Sequence, residues 1–120
     1  MDLKAFSKMN LARCESPEAF NHKTGDWSPA EWTNAMMGEG GEVCNLTKKL
    51  LRHRDGVAGN MKAEDKDVAS LRARAAKELA DVIIYADLAM QALGFDTSEQ
   101  VREVFNQKSR DLGCTAFLIP

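Results

Sequence analysis

Apolar residues along this chain recur mainly three and four positions apart, and few segments alternate between apolar and polar residues as strands do. Glycine and proline interrupt the pattern at a few places where helices commonly begin or end. The pattern predicts an all-α protein, a helical bundle of four to five helices. The predicted helical segments are residues 2 to about 21, with a break near Ser16 and Pro17, then 29 to about 54, 68 to 93, and 97 to about 112.

Capping residues give the predicted helices their boundaries. Ser28, Pro29 and Glu31 have the spacing of a capping box with proline in the first turn. Gly94 suits the left-handed residue that follows a helix. Residues 55–67 are rich in glycine and charge, which predicts a mobile loop. A chain of 120 residues is the size of one domain, so we expect a single domain over residues 1–120.

The third predicted helix separates acidic from apolar residues. At about 100° per residue, Glu78, Asp81 and Tyr85 share one face, and the flanks on both sides of that face are apolar. A helix with two apolar flanks must be covered on both. Three other helices in a chain of this size give limited cover, so we expect a homodimer or tetramer. Its subunit contact is expected near Ile83 or Ile84 and Met90.

Two pairs of acidic residues lie on consecutive predicted helices, Glu39 with Glu42 and Glu78 with Asp81. Residues three apart are neighbours on a helix surface, so each pair points in one direction. Apolar neighbours suggest that all four carboxylates are half-buried, and a hard divalent cation would offset their repulsion. Oxygen ligands without a suitably spaced histidine favour Mg²⁺, with Mn²⁺ as a substitute, over redox iron. The alternative is that these acids lie on solvated faces of amphipathic helices.

Three glycines, Gly38, Gly40 and Gly41, surround Glu39 inside the second predicted helix. Each costs roughly 1 kcal/mol relative to alanine, so we expect another helix or a ligand to approach the backbone here. A break in the helix is the alternative. No strand precedes the glycines and no Lys-Ser/Thr follows in register, so the run is not a P-loop.

Charge and composition exclude several classes of protein. The 16 basic and 18 acidic residues give a net charge of −2, which lacks the basic surface of a nucleic-acid-binding protein. The three cysteines are widely spaced and form no zinc motif, as in a reduced cytoplasmic protein. The most apolar stretch is too short to span a membrane, and no apolar leader follows the first methionine. We therefore expect a cytoplasmic protein that binds neither nucleic acid nor membrane.

The segment WSPAEWTNAMMGEGGEVCNLTKKLLR, followed by KELADVIIYADLAMQALG, resembles the MazG-like, all-α nucleoside triphosphate pyrophosphohydrolases. Their signature is Glu-x-x-Glu on one helix and Glu-x-x-Asp on the next, which falls on Glu39, Glu42, Glu78 and Asp81. The tail VFNQKSRDLG is similar to the family's closing helix, which contains an asparagine, here Asn106. The segment between the motifs is longer than in compact members, so the resemblance predicts the metal site and leaves the pocket's shape open.

The resemblance implies cleavage of a nucleoside or deoxynucleoside triphosphate between its α- and β-phosphates, in nucleotide-pool housecleaning. It implies Mg²⁺ on the four carboxylates and an enzyme that is a dimer or tetramer. A carboxylate not fully engaged by the metal would orient or deprotonate the attacking water. The catalytic candidates are Glu39 and Glu42, and Glu42 is favoured as the base.

Four further residues are substrate-binding candidates. Lys49 lies two turns after Glu42 and could meet a phosphate, although a solvated lysine at a helix end is the alternative. Tyr85 follows Asp81 by one turn and could reach the sugar or base. Trp27 could stack on a base or form a hydrophobic staple. Asn106 is carried over from the resemblance alone.

Two other functions are compatible with the same residues. The first is a non-catalytic helical interaction module that dimerises through the third helix, for which the four acids are replaceable. The second is a helical metal-binding protein without hydrolase activity.

Overall fold

The computed structural model describes all 120 residues and is all-α, which confirms the predicted fold class of a small helical protein. It contains four α-helices and no strands. The helices are α1 (Leu3–Glu15), α2 (Pro29–Arg54), α3 (Val68–Ala92) and α4 (Thr97–Leu112), and short 3₁₀ turns occur at Thr24–Asp26 and Ala63–Asp65. None of the helices has both the length and the apolar character needed to cross a membrane.

Most helix boundaries agree with the prediction, and the predicted break near Ser16 and Pro17 is confirmed. Helix α1 ends at Glu15, Ser16 is in an extended conformation, and no α-helix resumes before residue 21. The cause is Pro17, whose ring disfavours the helical conformation for the residue before it. Helix α2 begins at Pro29 as predicted, and Gly94 follows α3 with a φ of 86°. That left-handed conformation lets the Gly94 amide donate to the carbonyl of Gln91.

The residues form two compact units, one of residues 31–86 and one of residues 1–30 together with 87–120. In the first unit, α2 contacts α3 through a small apolar cluster of Leu46, Leu71 and Ala75, with Leu50 packed against it. Trp32 is also buried. Its ring lies 6.4 Å from that of Tyr85, measured between centroids.

The connection between α2 and α3 contains a 3₁₀ turn and two buried residues. Met61 and Asp65 are buried, although the composition of residues 55–67 is typical of a mobile loop. The Asp65 carboxylate pairs with Lys49 on α2 and Arg74 on α3, and His53 bonds to the Asp65 carbonyl. Buried polar contacts therefore connect the C-terminal end of this segment to both helices, and the mobility of residues 55–67 stays a prediction.

The second unit is held together by one buried acid near the end of α3. Asp87 is 1% exposed and accepts hydrogen bonds from Ser7 and Asn10 on α1, Gln91 on α3 and Thr97 at the start of α4. Every buried side-chain oxygen or nitrogen in the chain has a partner, so this acid is fully satisfied. Helices α1, α3 and α4 are thereby joined at one polar centre.

The buried apolar core of the single chain is small, and many large apolar side chains remain exposed. On α3, Leu79 is 50% exposed and Ile83 is 58% exposed. In the other unit, exposed apolar side chains occur on α4 and along the C-terminal residues: Val101, Val104, Phe105, Phe117, Leu118 and Ile119. An isolated chain therefore leaves much apolar area in contact with water.

Candidate metal centre

Helices α2 and α3 bring three of the four predicted carboxylates together. One carboxylate oxygen from each of Glu39, Glu78 and Asp81 lies within 4.8 Å of the other two. All three residues are half-buried. Glu78 and Asp81 are adjacent on α3 because they are three residues apart, and Glu39 meets them from α2.

The proximity of these acids changes the protonation of Glu39. A hydrogen bond with the Glu78 carboxyl, partial burial and the charge of Asp81 raise the pKa of Glu39. No lysine or arginine forms an ion pair with any of the four predicted metal ligands. The negative charges in the cluster therefore have no cationic side chain as a counterion, and a bound cation or a proton would relieve their repulsion.

Glu42 is exposed and lies outside the cluster of three. The expectation that all four carboxylates are half-buried is therefore wrong for this residue. A three-residue step turns about 60° short of a full circle, which is enough to direct one of two neighbouring acids toward solvent. Glu42 nevertheless lines the same pocket as Glu78, and its role as a fourth ligand or base stays a prediction.

The glycines beside Glu39 lie within one uninterrupted helix, so the alternative of a helix break is wrong. A methyl group added at Gly38, Gly40 or Gly41 would meet nothing within 4 Å. The expected approach of another helix is therefore wrong within this chain. The backbone of α2 is bare beside the carboxylates, and approach by a ligand or a second chain stays a prediction.

A pocket of about 310 Å³ adjoins the cluster and is lined by both acidic and basic residues. Three cations line it, Lys49 from α2 and Arg74 and Lys77 from α3, together with Glu42 and Glu78. The Lys49 side chain is 20% exposed and paired with Asp65, so the alternative of a solvated lysine is wrong. Its predicted contact with a phosphate stays a prediction.

Sequence reasoning missed Arg74, Lys77 and Asp65. Arg74 lies one turn before Glu78, so it belongs to the same face of α3 and helical spacing alone would have placed it there. Lys77 is the immediate neighbour of Glu78. Asp65 gave no periodic signal because it lies in a 3₁₀ turn between the helices.

The remaining candidates belong to two different units. Tyr85 is half-buried on α3 in the same unit as the carboxylates. Trp27 and Asn106 belong to the other unit. Trp27 packs edge-on against the ring of His22, with centroids 4.7 Å apart, and the Asn106 amide bonds to both the carbonyl and the N–H of Leu118.

Comparison of the chain with family models, with curated protein sequences and with solved structures gives no match. The resemblance to MazG-like enzymes therefore stays a prediction that rests on the motifs around the two acidic pairs.

Proposed function

We propose that this protein is a Mg²⁺-dependent nucleoside triphosphate pyrophosphohydrolase that converts a nucleoside or deoxynucleoside triphosphate to the monophosphate and pyrophosphate. One observation carries the proposal. Three carboxylates converge, and one of them, Glu78, also lines a pocket that holds three cations. The carboxylates suit a divalent cation, and the basic side chains suit a polyphosphate. The motif resemblance suggests one reaction that uses both.

The carboxylate cluster suits a hard divalent cation. Its donors are all carboxylate oxygens, which Mg²⁺ and Mn²⁺ prefer. Ligands on opposite sides of Mg²⁺ are about 4 Å apart, since each lies about 2 Å from the ion. The oxygens of Glu39, Glu78 and Asp81 lie within 4.8 Å of one another, so small side-chain movements suffice.

Bound at this cluster, Mg²⁺ would neutralise phosphate oxygens and make a bound water more acidic. Glu39, Glu78 and Asp81 would hold the cation, and Glu78 would bring it next to the pocket. Glu42 is exposed and outside the cluster, which leaves its carboxylate available to orient or deprotonate the attacking water. Lys49, Arg74 and Lys77 would bind the departing pyrophosphate.

The proposed enzyme is a homodimer or a dimer of dimers. The half-exposed Leu79 and Ile83 lie on the same helix as two of the metal ligands, and a second copy would cover them. The same exposed surface favours the second candidate function, a non-catalytic helical interaction module, which would use the surface without the acids.

An assay of pyrophosphate release from the eight common nucleoside and deoxynucleoside triphosphates tests the proposal. We expect release with Mg²⁺, none with excess chelator, and a monophosphate as the first nucleotide product. The variant E39Q should be inactive, whereas E103Q, which alters an exposed acid on α4, should retain activity. A diphosphate with orthophosphate as the first products would contradict the proposal, and so would inactivity toward all eight substrates.

A further inference from the structure

Asp65 is the central residue of a charged contact at the side of the pocket. Its carboxylate is almost completely buried, with the residue 3% exposed. One oxygen, Oδ2, accepts a hydrogen bond from Lys49 Nζ at 2.8 Å, and the other, Oδ1, accepts one from Arg74 Nη2 at 3.0 Å. A single acid from the α2–α3 connection thus holds one cation from each helix.

The cations held by Asp65 line the same pocket as Glu42 and Glu78, yet they form no ion pair with either acid. Long basic side chains beside half-buried carboxylates gain charge neutralisation by pairing with them. Such pairing would place an ammonium or guanidinium group where a metal has to bind. The contacts with Asp65 supply a competing anion for both side chains.

We propose that Asp65 is a positioning residue that keeps Lys49 and Arg74 off the metal-site carboxylates and holds them ready for the pyrophosphate end of the substrate. This inference rests on the proposed function. In this proposal the carboxylates bind the divalent cation, and the basic side chains of the same pocket bind phosphate.

The donors that remain on the two cations support binding of a polyphosphate. Arg74 donates hydrogen bonds from Nε to the Ser70 hydroxyl, and from Nη2 to the Glu64 carbonyl and the Asp65 carboxylate. These bonds do not use the N–H groups of Nη1. Lys49 uses one of its three N–H donors on Asp65. Lys77 forms no ion pair within the chain. Several donors around one pocket suit an anion with many oxygens, as pyrophosphate has.

A purely structural role for Asp65 makes different predictions. The turn has other attachments, because His53 bonds to the Asp65 carbonyl and Arg74 donates to the Glu64 carbonyl. These backbone contacts do not need the Asp65 carboxylate, so the variant D65N should keep the turn in place. A change in metal affinity in D65N would then come from the released cations.

The experiment measures binding of Mg²⁺, and of pyrophosphate in the presence of Mg²⁺, by calorimetry on the full chain. We expect D65N to bind Mg²⁺ about tenfold more weakly, the size of effect usual for residues that support metal ligands. Pyrophosphate should also bind more weakly. The matched control E64Q alters the exposed neighbouring acid and should behave like the wild type.

The double variant K49M/D65N separates positioning from structure. If released Lys49 competes with Mg²⁺, its removal should restore most of the metal affinity while pyrophosphate binding stays weak. The proposal is overturned if D65N binds both ligands like the wild type, or if K49M fails to restore Mg²⁺ binding in the D65N background.

Single variants keep the test decisive if D65N does not fold. K49M and R74M in the otherwise wild-type chain should weaken pyrophosphate binding and leave Mg²⁺ affinity unchanged. A rise in Mg²⁺ affinity in K49M alone would show that Lys49 already pairs with the acids, which contradicts the proposal. A wild type that binds no Mg²⁺ refutes both proposals, whereas an active wild type with an unaltered D65N refutes only the role of Asp65.

Discussion

One carboxylate oxygen of Glu39 on α2 lies within 4.8 Å of a carboxylate oxygen of Glu78 on α3. A hydrogen bond with the Glu78 carboxyl, partial burial and the charge of Asp81 raise the pKa of Glu39. The folded chain therefore binds a proton at Glu39 more tightly than the unfolded chain does. Proton binding at Glu39 contributes fully to the stability of the fold below about pH 4.3, the pKa of a glutamate in the unfolded chain. This contribution is lost as the pH rises through the higher pKa of Glu39 in the folded chain.

We predict that Mg²⁺ stabilises the protein at neutral pH, because the ion would relieve the repulsion among the clustered carboxylates. At a free concentration 100 times its dissociation constant, the ion should add about 2.7 kcal/mol to the free energy of unfolding. In chelator, E39Q should be more stable than the wild type at pH 7.5, because it removes a repelling charge. Thermal unfolding of both proteins with Mg²⁺ and with chelator measures this, and an equal Mg²⁺ shift in E39Q would contradict it.

Loss of any of the three clustered acids should abolish turnover while keeping the helices. We expect E39Q, E78Q and D81N each to reduce the rate of pyrophosphate release by at least about 100-fold, with circular dichroism unchanged. The substitutions preserve side-chain volume, so packing is little affected. E103Q is the control, and wild-type turnover in any of the three variants would exclude that acid as a metal ligand.

Asp65 should make the stability of the protein depend on acid pH in the opposite direction to Glu39. Hydrogen bonds from Lys49 and Arg74 lower the pKa of Asp65. Its contribution is therefore present above the unfolded value of about 3.9 and is lost as the pH falls through the lower folded value.

The difference in unfolding free energy between the wild type and D65N measures this contribution. It should be constant from pH 7 to about pH 5 and should shrink as the solution becomes more acidic. Urea unfolding at a series of pH values gives the curve. E64Q should show no such trend, and a difference between wild type and D65N that grows toward low pH would refute the assignment.

Removal of the buried charge at Asp87 should strongly destabilise the fold. D87N replaces an oxygen that accepts hydrogen bonds with an amide that donates them, opposite partners such as Asn10 and Gln91 that also donate. We expect a loss on the order of 3 kcal/mol, because buried hydrogen bonds to a charged group are lost. D55N, which removes an exposed pair with Arg54, should cost less than about 1 kcal/mol. Urea unfolding of the two variants compares them directly.

The exposed flank of α3 leads to a prediction about assembly. We expect sedimentation to show a dimer or tetramer at micromolar concentration, because burial of apolar area contributes about 25 cal/mol per Å². I83E should give a poorly folded chain, since Ile83 would cover part of the subunit contact. The control V57E changes an exposed valine in the α2–α3 connection and should assemble normally. A stable, active wild-type monomer would contradict the prediction and leave the metal site unaffected.

Helical periodicity predicted much of the fold because residues at the helix ends themselves determine where several helices begin and end. Pro29 and Gly94 fix the beginning of α2 and the end of α3 through their own backbone preferences. The three-residue spacing of Glu78 and Asp81 likewise suffices to predict that they are neighbours on one face of a helix. The meeting of these acids with Glu39 followed from their position beside the most apolar part of each helix.

The parts that could not be predicted depend on contacts between residues far apart in the sequence. The burial of Asp65 requires Lys49 and Arg74 on two different helices, and nothing in the composition of residues 55–67 encodes that arrangement. The exposure of Glu42 depends on how α2 is rotated about its own axis where it packs against α3. A rotation by one residue position, about 100°, would change which side chains face α3. Periodicity gives the face of a helix, whereas tertiary contacts decide which edge of that face is covered.

No other part of the chain approaches the α2 backbone at Gly38, Gly40 and Gly41. Substitutions at these glycines can therefore detect contacts with molecules outside the chain. Alanine at these positions meets no atom within 4 Å, so the isolated chain should gain roughly 1 kcal/mol from each substitution. Any cost of such a change must then arise from a nucleotide or from a second copy of the protein. Three measurements on the same alanine variants would identify which molecule contacts the helix: stability without ligand, nucleotide affinity, and oligomeric state by sedimentation.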